Sequence, residues 1–113
     1  TIVAVEDPCY TPMRQAFENA GASVIGVGVD QYGLDVARVP AAAKVICVTP
    51  SHQFPLGLAM SPERRMQLLD QARRHGAMIV EDDYDCEYRY DGRPLDALQT
   101  LAPEQVCYVG TFS

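Results

Sequence analysis

The sequence predicts an α/β protein, a three-layer α/β/α sandwich built around a mostly parallel sheet. Short β-branched or apolar runs alternate along the 113 residues with segments that carry helix caps and apolar stripes. Alternation at this spacing is typical of parallel strands joined by right-handed helical crossovers. The run at residues 44–48 is apolar almost throughout, as expected for a strand that is covered on both faces. The order of the strands stays open at this stage.

The first predicted strand, residues 1–5, leads into a helix. Thr11 can cap this helix with Pro12 in its first turn, and Gly21 is suited to end it. The predicted apolar side of the helix consists of Ala16, Phe17 and Ala20.

A second strand is predicted at residues 22–29, followed by a turn at residues 30–33. Residues 33–39 are predicted to form one or two helical turns, which Pro40 stops. The strand at residues 44–48 comes next.

The second half of the chain opens on the clearest helix signal. Ser61 is a cap, Pro62 occupies the first helical position, Glu63 follows, and Gly76 ends the helix. A strand at residues 78–80, a short helix at residues 95–101 and a strand at residues 106–109 complete the pattern. The predicted apolar stripe of the long helix consists of Met66, Leu68, Leu69 and Ala72.

Composition limits the function. Hydrophobic residues make up 48% of the chain, which predicts a globular domain, and no apolar run approaches the length of a membrane span. The net charge of −6, with only nine basic residues, speaks against nucleic-acid binding by this segment. The four cysteines lack C-x-x-C spacing, so we expect buried, reduced thiols in the cytoplasm and no metal site. We expect the helix arginines to be solvated, namely Arg14, Arg64, Arg65, Arg73 and Arg74.

Both ends of the chain are unusual. The sequence begins without Met, already in a predicted strand, and it stops just after another strand. We therefore expect residues 1–113 to form part of one domain, truncated at both ends.

Polar residues follow three predicted strands. Residues 49–52, 81–84 and 110–113 lie at strand exits, so parallel strands would bring them to one edge of the sheet. Ligands of doubly wound sheets bind at that edge. Acids crowded there repel one another, which favours a cationic, metallic or protonated group opposite them. The alternative is a solvated acidic loop.

Four segments carry a resemblance to a known family. They read VTPSHQFP at residues 48–55, EDDYD at 81–85, YDGRPL at 90–95 and GTFS at 110–113. Together with EDPCY at residues 6–10, in which Cys9 stands where Gly is common, they resemble the aminotransferase-like domain of the MocR regulators. That family belongs to the GntR superfamily. It joins an N-terminal winged helix-turn-helix domain to a fold-type I domain that binds pyridoxal 5′-phosphate (PLP).

The resemblance implies roles for six residues. Asp82 would pair with the protonated pyridine nitrogen of PLP, and Tyr84 would donate to the phenolic oxygen of the cofactor. Thr111 would contact the phosphate, and Ser113 would immediately precede the lysine that forms a Schiff base. His52 and Tyr10 would lie near the cofactor. From the residues alone, Asp82 could equally be a turn acid and Tyr84 a core tyrosine.

The Schiff-base lysine itself would lie just beyond Ser113. Lys44, the only lysine of the chain, is in the wrong context, so we do not assign the role to it. We expect this segment alone to be inactive and to bind no cofactor.

Three hypotheses follow. The first is part of the PLP-binding effector domain of a dimeric transcriptional regulator that answers to an amino acid or amine and binds DNA through an N-terminal domain. The second is part of a genuine aminotransferase, which moves an amino group between an amino acid and a 2-oxo acid. The third, for this segment alone, is a folded subdomain without a ligand. A basic winged-helix segment upstream of Thr1 would decide for the regulator.

Overall fold

The computed structural model describes residues 1–7, 11–49, 60–82 and 101–109. Within them the chain forms one six-stranded sheet in the order β3-β2-β1-β4-β5-β6. Five strands are parallel, and the short β3 runs antiparallel to β2. The elements are β1 (Ile2–Asp7), α1 (Thr11–Asn19), β2 (Ser23–Asp30), β3 (Gly33–Leu34), β4 (Val45–Val48), α2 (Pro62–His75), β5 (Met78–Asp82) and β6 (Val106–Val109).

The two helices cover opposite faces of the sheet. Side chains alternate along each strand, so successive strand residues contact different helices. On one face Phe17 of α1 packs against Val3, Val5 and Cys47. On the other face α2 packs against a larger buried cluster from the neighbouring strand positions, which includes Ala4, Ile46, Val48 and Ile79. The described residues therefore form the predicted three layers. They confirm one sheet containing the strands predicted at 44–48, 78–80 and 106–109.

Helix α2 has the predicted caps. The Ser61 hydroxyl accepts a hydrogen bond from the backbone N–H of Arg64, and Gly76 adopts the left-handed conformation at the C-terminus. The predicted apolar stripe is wrong at one position, because the Met66 side chain lies on the solvent side and is 58% exposed. The face that packs on the sheet consists of Arg65, Leu68, Leu69 and Ala72.

The structure corrects the prediction for residues 33–39. Gly33 pairs with Asp30 in a hairpin at a φ of 110°, which no helix can contain, and only Val36–Arg38 forms a single 3-10 turn. A Cβ at Gly33 would approach Met60 to 3.1 Å, so the close contact with Met60 also requires glycine. The alanines of α1 are exposed, and Phe17 alone of its three predicted apolar residues packs on the sheet.

Two further predictions are confirmed only in part. Cys47 is buried and Cys107 is exposed, so burial of the cysteines is wrong for Cys107. Cys9 and Cys86 lie outside the described residues. Of the helix predicted at residues 95–101, only Leu101 is described, and it is helical.

Candidate functional site

The carboxyl ends of β1, β4, β5 and β6 meet at one edge of the sheet. The strands run in parallel with matched registers, so that Val48 lies beside Glu81 and Asp82 beside Val109. The chain therefore leaves the sheet after Asp7, Val48, Asp82 and Val109 along the same edge. This arrangement confirms that the polar segments predicted to follow the last three strands start from one edge.

The strand order reverses between β1 and β4. From β1 the chain continues to β2 on one side, whereas β4, β5 and β6 extend the sheet on the other side. Such a reversal leaves a crevice outside the carboxyl ends of the two strands, and ligands of doubly wound sheets bind there. The topology thus selects the exits of β1 and β4 as the centre of the candidate site.

A buried hydrogen bond joins these two exits. Thr49 Oγ1 donates to Glu6 Oε1 over 2.6 Å, and the two residues are only 4% and 3% exposed. The hydroxyl thus satisfies one oxygen of a carboxyl group that has almost no contact with solvent. The bond therefore fixes the end of β1 against the first residue after β4.

A second buried acid lies on the same face of the sheet. Glu81 is fully buried and follows Ile79 by two residues, so it lies on the α2 side together with Glu6. Val48 pairs with Glu81 and belongs to the buried cluster on this same side. Arg65 of α2 is 5% exposed on that same side, and its Nε donates to the Met60 carbonyl over 2.9 Å. Charged groups thus line the covered face beneath the candidate site.

The predicted site residues fall mostly outside the described part. Asp82 is the last residue of β5, at the correct edge of the sheet. Tyr10, His52, Tyr84, Thr111 and Ser113 lie outside the described residues. Lys44 immediately precedes β4, and its backbone N–H donates to Ile2 at the amino end of β1. The only lysine is therefore at the opposite edge of the sheet from Asp82.

Sequence reasoning missed the buried roles of Glu6 and Thr49. It used both residues only as members of a motif, although a glutamate at the end of an apolar strand, together with a threonine after another, was the available signal. It also predicted a solvated Arg64. Instead, Arg64 donates to both carboxylate oxygens of Asp30 over 3.0 and 3.1 Å and to the Leu34 carbonyl over 2.6 Å. The prediction that Arg65 is solvated is also wrong, because Arg65 is buried.

Arg64 also changes the acidity of its partner. Its hydrogen bonds to Asp30 lower the pKa of that carboxyl below the ordinary value of 3.8, and the backbone N–H of Tyr32 acts in the same direction. The guanidinium lies 5.8 Å from the centre of the Tyr32 ring. Arg64 therefore fastens the start of α2 to the hairpin between β2 and β3.

No three His, Cys, Asp or Glu side chains of the described residues are grouped so that they could hold a metal ion. None of the helices in this part of the chain is both long and apolar enough to cross a membrane.

No model of a known protein family matches the chain, but individual proteins do. The HTH-type transcriptional regulator YdeL of Bacillus subtilis is 41% identical over 98% of the chain. The probable rhizopine catabolism regulatory protein MocR of Rhizobium meliloti is 41% identical over 96% of it. This chain is similar over nearly its whole length to one region of HTH-type regulators, MocR among them. It spans 24% of the YdeL length and 22% of the MocR length.

The structural comparison gives the fold of that MocR-type region. The crystal structure of a kynurenine aminotransferase from Pyrococcus horikoshii, in complex with PMP, superposes with a TM-score of 0.81. It is 33% identical, and the match covers 99% of this chain and 30% of that protein. The predicted fold-type I assignment is thereby confirmed.

Proposed function

We propose that the intact protein is a MocR-type transcriptional regulator and that residues 1–113 are part of its PLP-binding effector domain. The observation that supports this most is the convergence of four strand exits at the edge where the sheet order reverses, in a chain homologous to MocR. In this proposal PLP and an amino acid or amine act together as the signal. An N-terminal winged helix-turn-helix domain binds the operator, and the intact protein is a cytoplasmic homodimer.

The chemistry of the edge fits PLP. Asp82 ends β5 at this edge, and a carboxylate there is the partner that a protonated pyridine nitrogen requires. A cation opposite Asp82 would in turn keep that carboxylate ionised. In this proposal Asp82 faces a positive group and is not simply part of a solvated loop.

The remaining assignments concern residues around Asp82. Tyr84 would donate its hydroxyl to the phenolic oxygen of the cofactor. Thr111 would bind the phosphate through its hydroxyl, and Ser113 would immediately precede the Schiff-base lysine. His52 and Tyr10, which follow β4 and β1 in the sequence, would lie near the cofactor. When bound, PLP supplies an electron sink for amino compounds.

Replacement of Asp82 tests the cofactor site. In the full-length protein, Asp82→Ala should weaken PLP binding by at least tenfold, because a charged hydrogen bond is worth about 1.5–3 kcal/mol. Absorbance titration with PLP measures the affinity. Asp70→Ala is the matched control, since Asp70 is an exposed acid on α2 that pairs only with Arg74 among the described residues. Equal PLP affinity in the Asp82 and Asp70 variants would contradict the assignment.

A genuine aminotransferase is the second candidate function. The observation in its favour is a 31% identity to aromatic-amino-acid aminotransferase 1 of Thermococcus litoralis over 99% of this chain and 30% of that enzyme. Fold alone does not decide between a regulator and an enzyme. Transamination assays of the full-length protein with 2-oxo acids, beside operator binding, distinguish the two.

A further inference from the structure

The hydrogen bond between Glu6 and Thr49 lies just beyond the last paired residues of β1 and β4. Their register extends from the Val3–Val45 pair to the Val5–Cys47 pair. The side-chain bond continues the connection beyond that point over 2.6 Å. The two strands are thus held together up to the crevice itself.

The bond also indicates how the chain leaves β4. Glu6 and Val48 lie on the face covered by α2, because they continue the alternation of Ala4 and Ile46. Thr49 would point to the other face if β4 continued as a regular strand. Its hydroxyl instead reaches Glu6, so Thr49 departs from the alternation of β4 and the hydrogen bond fixes its position beside the end of β1.

The far end of the segment between β4 and α2 is fixed as well. The Met60 carbonyl accepts from Arg65 Nε over 2.9 Å, and the Ser61 N–H donates to the Tyr32 carbonyl over 3.1 Å. Met60 also packs against Gly33. With Met60 and Ser61 anchored, Thr49 determines where the chain enters residues 50–59.

We propose that Glu6 and Thr49 are positioning residues for the cofactor site: their hydrogen bond sets the separation of the β1 and β4 exits on either side of the crevice. This inference rests on the proposed PLP function and deepens it. Neither side chain needs to touch the cofactor, since both are buried beneath the edge. They act by fixing the positions of Asp7 and Thr49, where the two strands leave the sheet. Small displacements of binding groups are costly when a ligand must be held in one geometry.

The test is PLP affinity in the full-length protein. Thr49→Val keeps the shape of the side chain and removes the hydroxyl. PLP affinity should fall about tenfold, because the strand exits are then no longer held at the separation that places the binding groups. Thr49→Ser retains the hydroxyl and should bind PLP within about twofold of wild type. Glu6→Gln retains an acceptor without charge and should fall between wild type and Thr49→Val. The double variant should be no weaker than Thr49→Val, because Thr49→Val alone already removes the hydrogen bond between the two residues.

Leu69→Val separates positioning from general destabilisation. Leu69 is buried on α2, in the core cluster. The Leu69→Val substitution should therefore lower the melting temperature without affecting the edge of the sheet. We expect Leu69→Val to leave PLP affinity unchanged. If Thr49→Val and Leu69→Val change PLP affinity equally, the Glu6–Thr49 pair is merely structural and the inference is overturned. If Thr49→Val does not fold, unchanged affinity in Glu6→Gln overturns it instead.

The same titration distinguishes this inference from the proposed function. A wild-type protein that binds no PLP would overturn both. Wild-type binding together with wild-type affinity in Thr49→Val and Glu6→Gln would overturn only the positioning role.

Discussion

At the residue scale, Arg64 shows how a charged helix residue becomes part of the framework. Its side chain is only 15% exposed and donates to Asp30, Gly33 and Leu34, which lie about thirty residues away along the chain. A planar guanidinium suits this double contact with a carboxylate, because it offers two parallel N–H groups. The partner is distant in sequence, so helical spacing alone predicted a solvated arginine.

The lowered pKa of Asp30 makes this contact sensitive to pH. A carboxyl whose pKa is lower in the folded state stabilises the fold above its unfolded pKa, and that contribution is lost as the pH falls through the folded value. We therefore expect Asp30→Asn to destabilise the protein near pH 7 and to match wild type at a pH well below 3.8. Urea unfolding across that range measures the difference. The effect should be modest, because the Asp30 side chain is 46% exposed and therefore screened.

Asp70→Asn is the control for Asp30→Asn, since Asp70 forms an exposed pair with Arg74 on a single helix. It should change stability less than Asp30→Asn at pH 7. A stability difference between wild type and Asp30→Asn that persists unchanged to the lowest pH would contradict the role given to this carboxylate.

At the element scale, α2 depends on its cap. The Ser61 hydroxyl accepts from the Arg64 N–H over 3.1 Å, satisfying one of the free N–H groups of the first turn. Ser61→Ala should cost about 1 kcal/mol, whereas Ser61→Asn should cost little. Hydrogen exchange of the first-turn amides of α2 in the full-length protein reports the change. Protection unaltered by Ser61→Ala would show that the cap contributes nothing.

The ends of α2 could be predicted from the sequence, whereas its buried face could be predicted only in part. Ser61, Pro62 and Gly76 are local signals, so the limits of α2 were predicted correctly. Its buried face was predicted correctly at Leu68, Leu69 and Ala72, but the prediction included the exposed Met66 and left out Arg65. The buried positions 65, 68, 69 and 72 instead follow helical spacing strictly, with Arg65 included. An arginine on a buried face depends on tertiary partners that no local pattern reveals.

At the scale of the whole molecule, the predicted edge was correct and the strand order was not predictable. Order depends on which distant strands pair, whereas the alternation of strands and helices follows from neighbouring residues. The buried Glu6–Thr49 bond could not be predicted for the same reason, since it joins residues 43 positions apart. The sequence thus predicted the edge at which the polar segments begin but not what holds that edge together.

Regulation is also a property of the whole molecule. The acidic chain, with its net charge of −6, should add little to DNA affinity, so an attached winged-helix domain would carry the salt-dependent binding. PLP and an amino compound can change operator affinity only if they bind the arrangements of the DNA-binding domains with different affinities. Tyr84→Phe removes a hydroxyl assigned to the cofactor, so it should alter this response and leave DNA affinity without PLP unchanged.

The most direct test of this account is operator binding by the full-length protein at fixed salt, with and without PLP and a panel of amino compounds. We expect the wild-type affinity to change when PLP and one amino compound are present together. The Tyr84→Phe variant should bind the operator like wild type without PLP and respond differently with it. Operator affinity that is indifferent to every combination, together with fast transamination, would contradict the regulator and favour the enzyme.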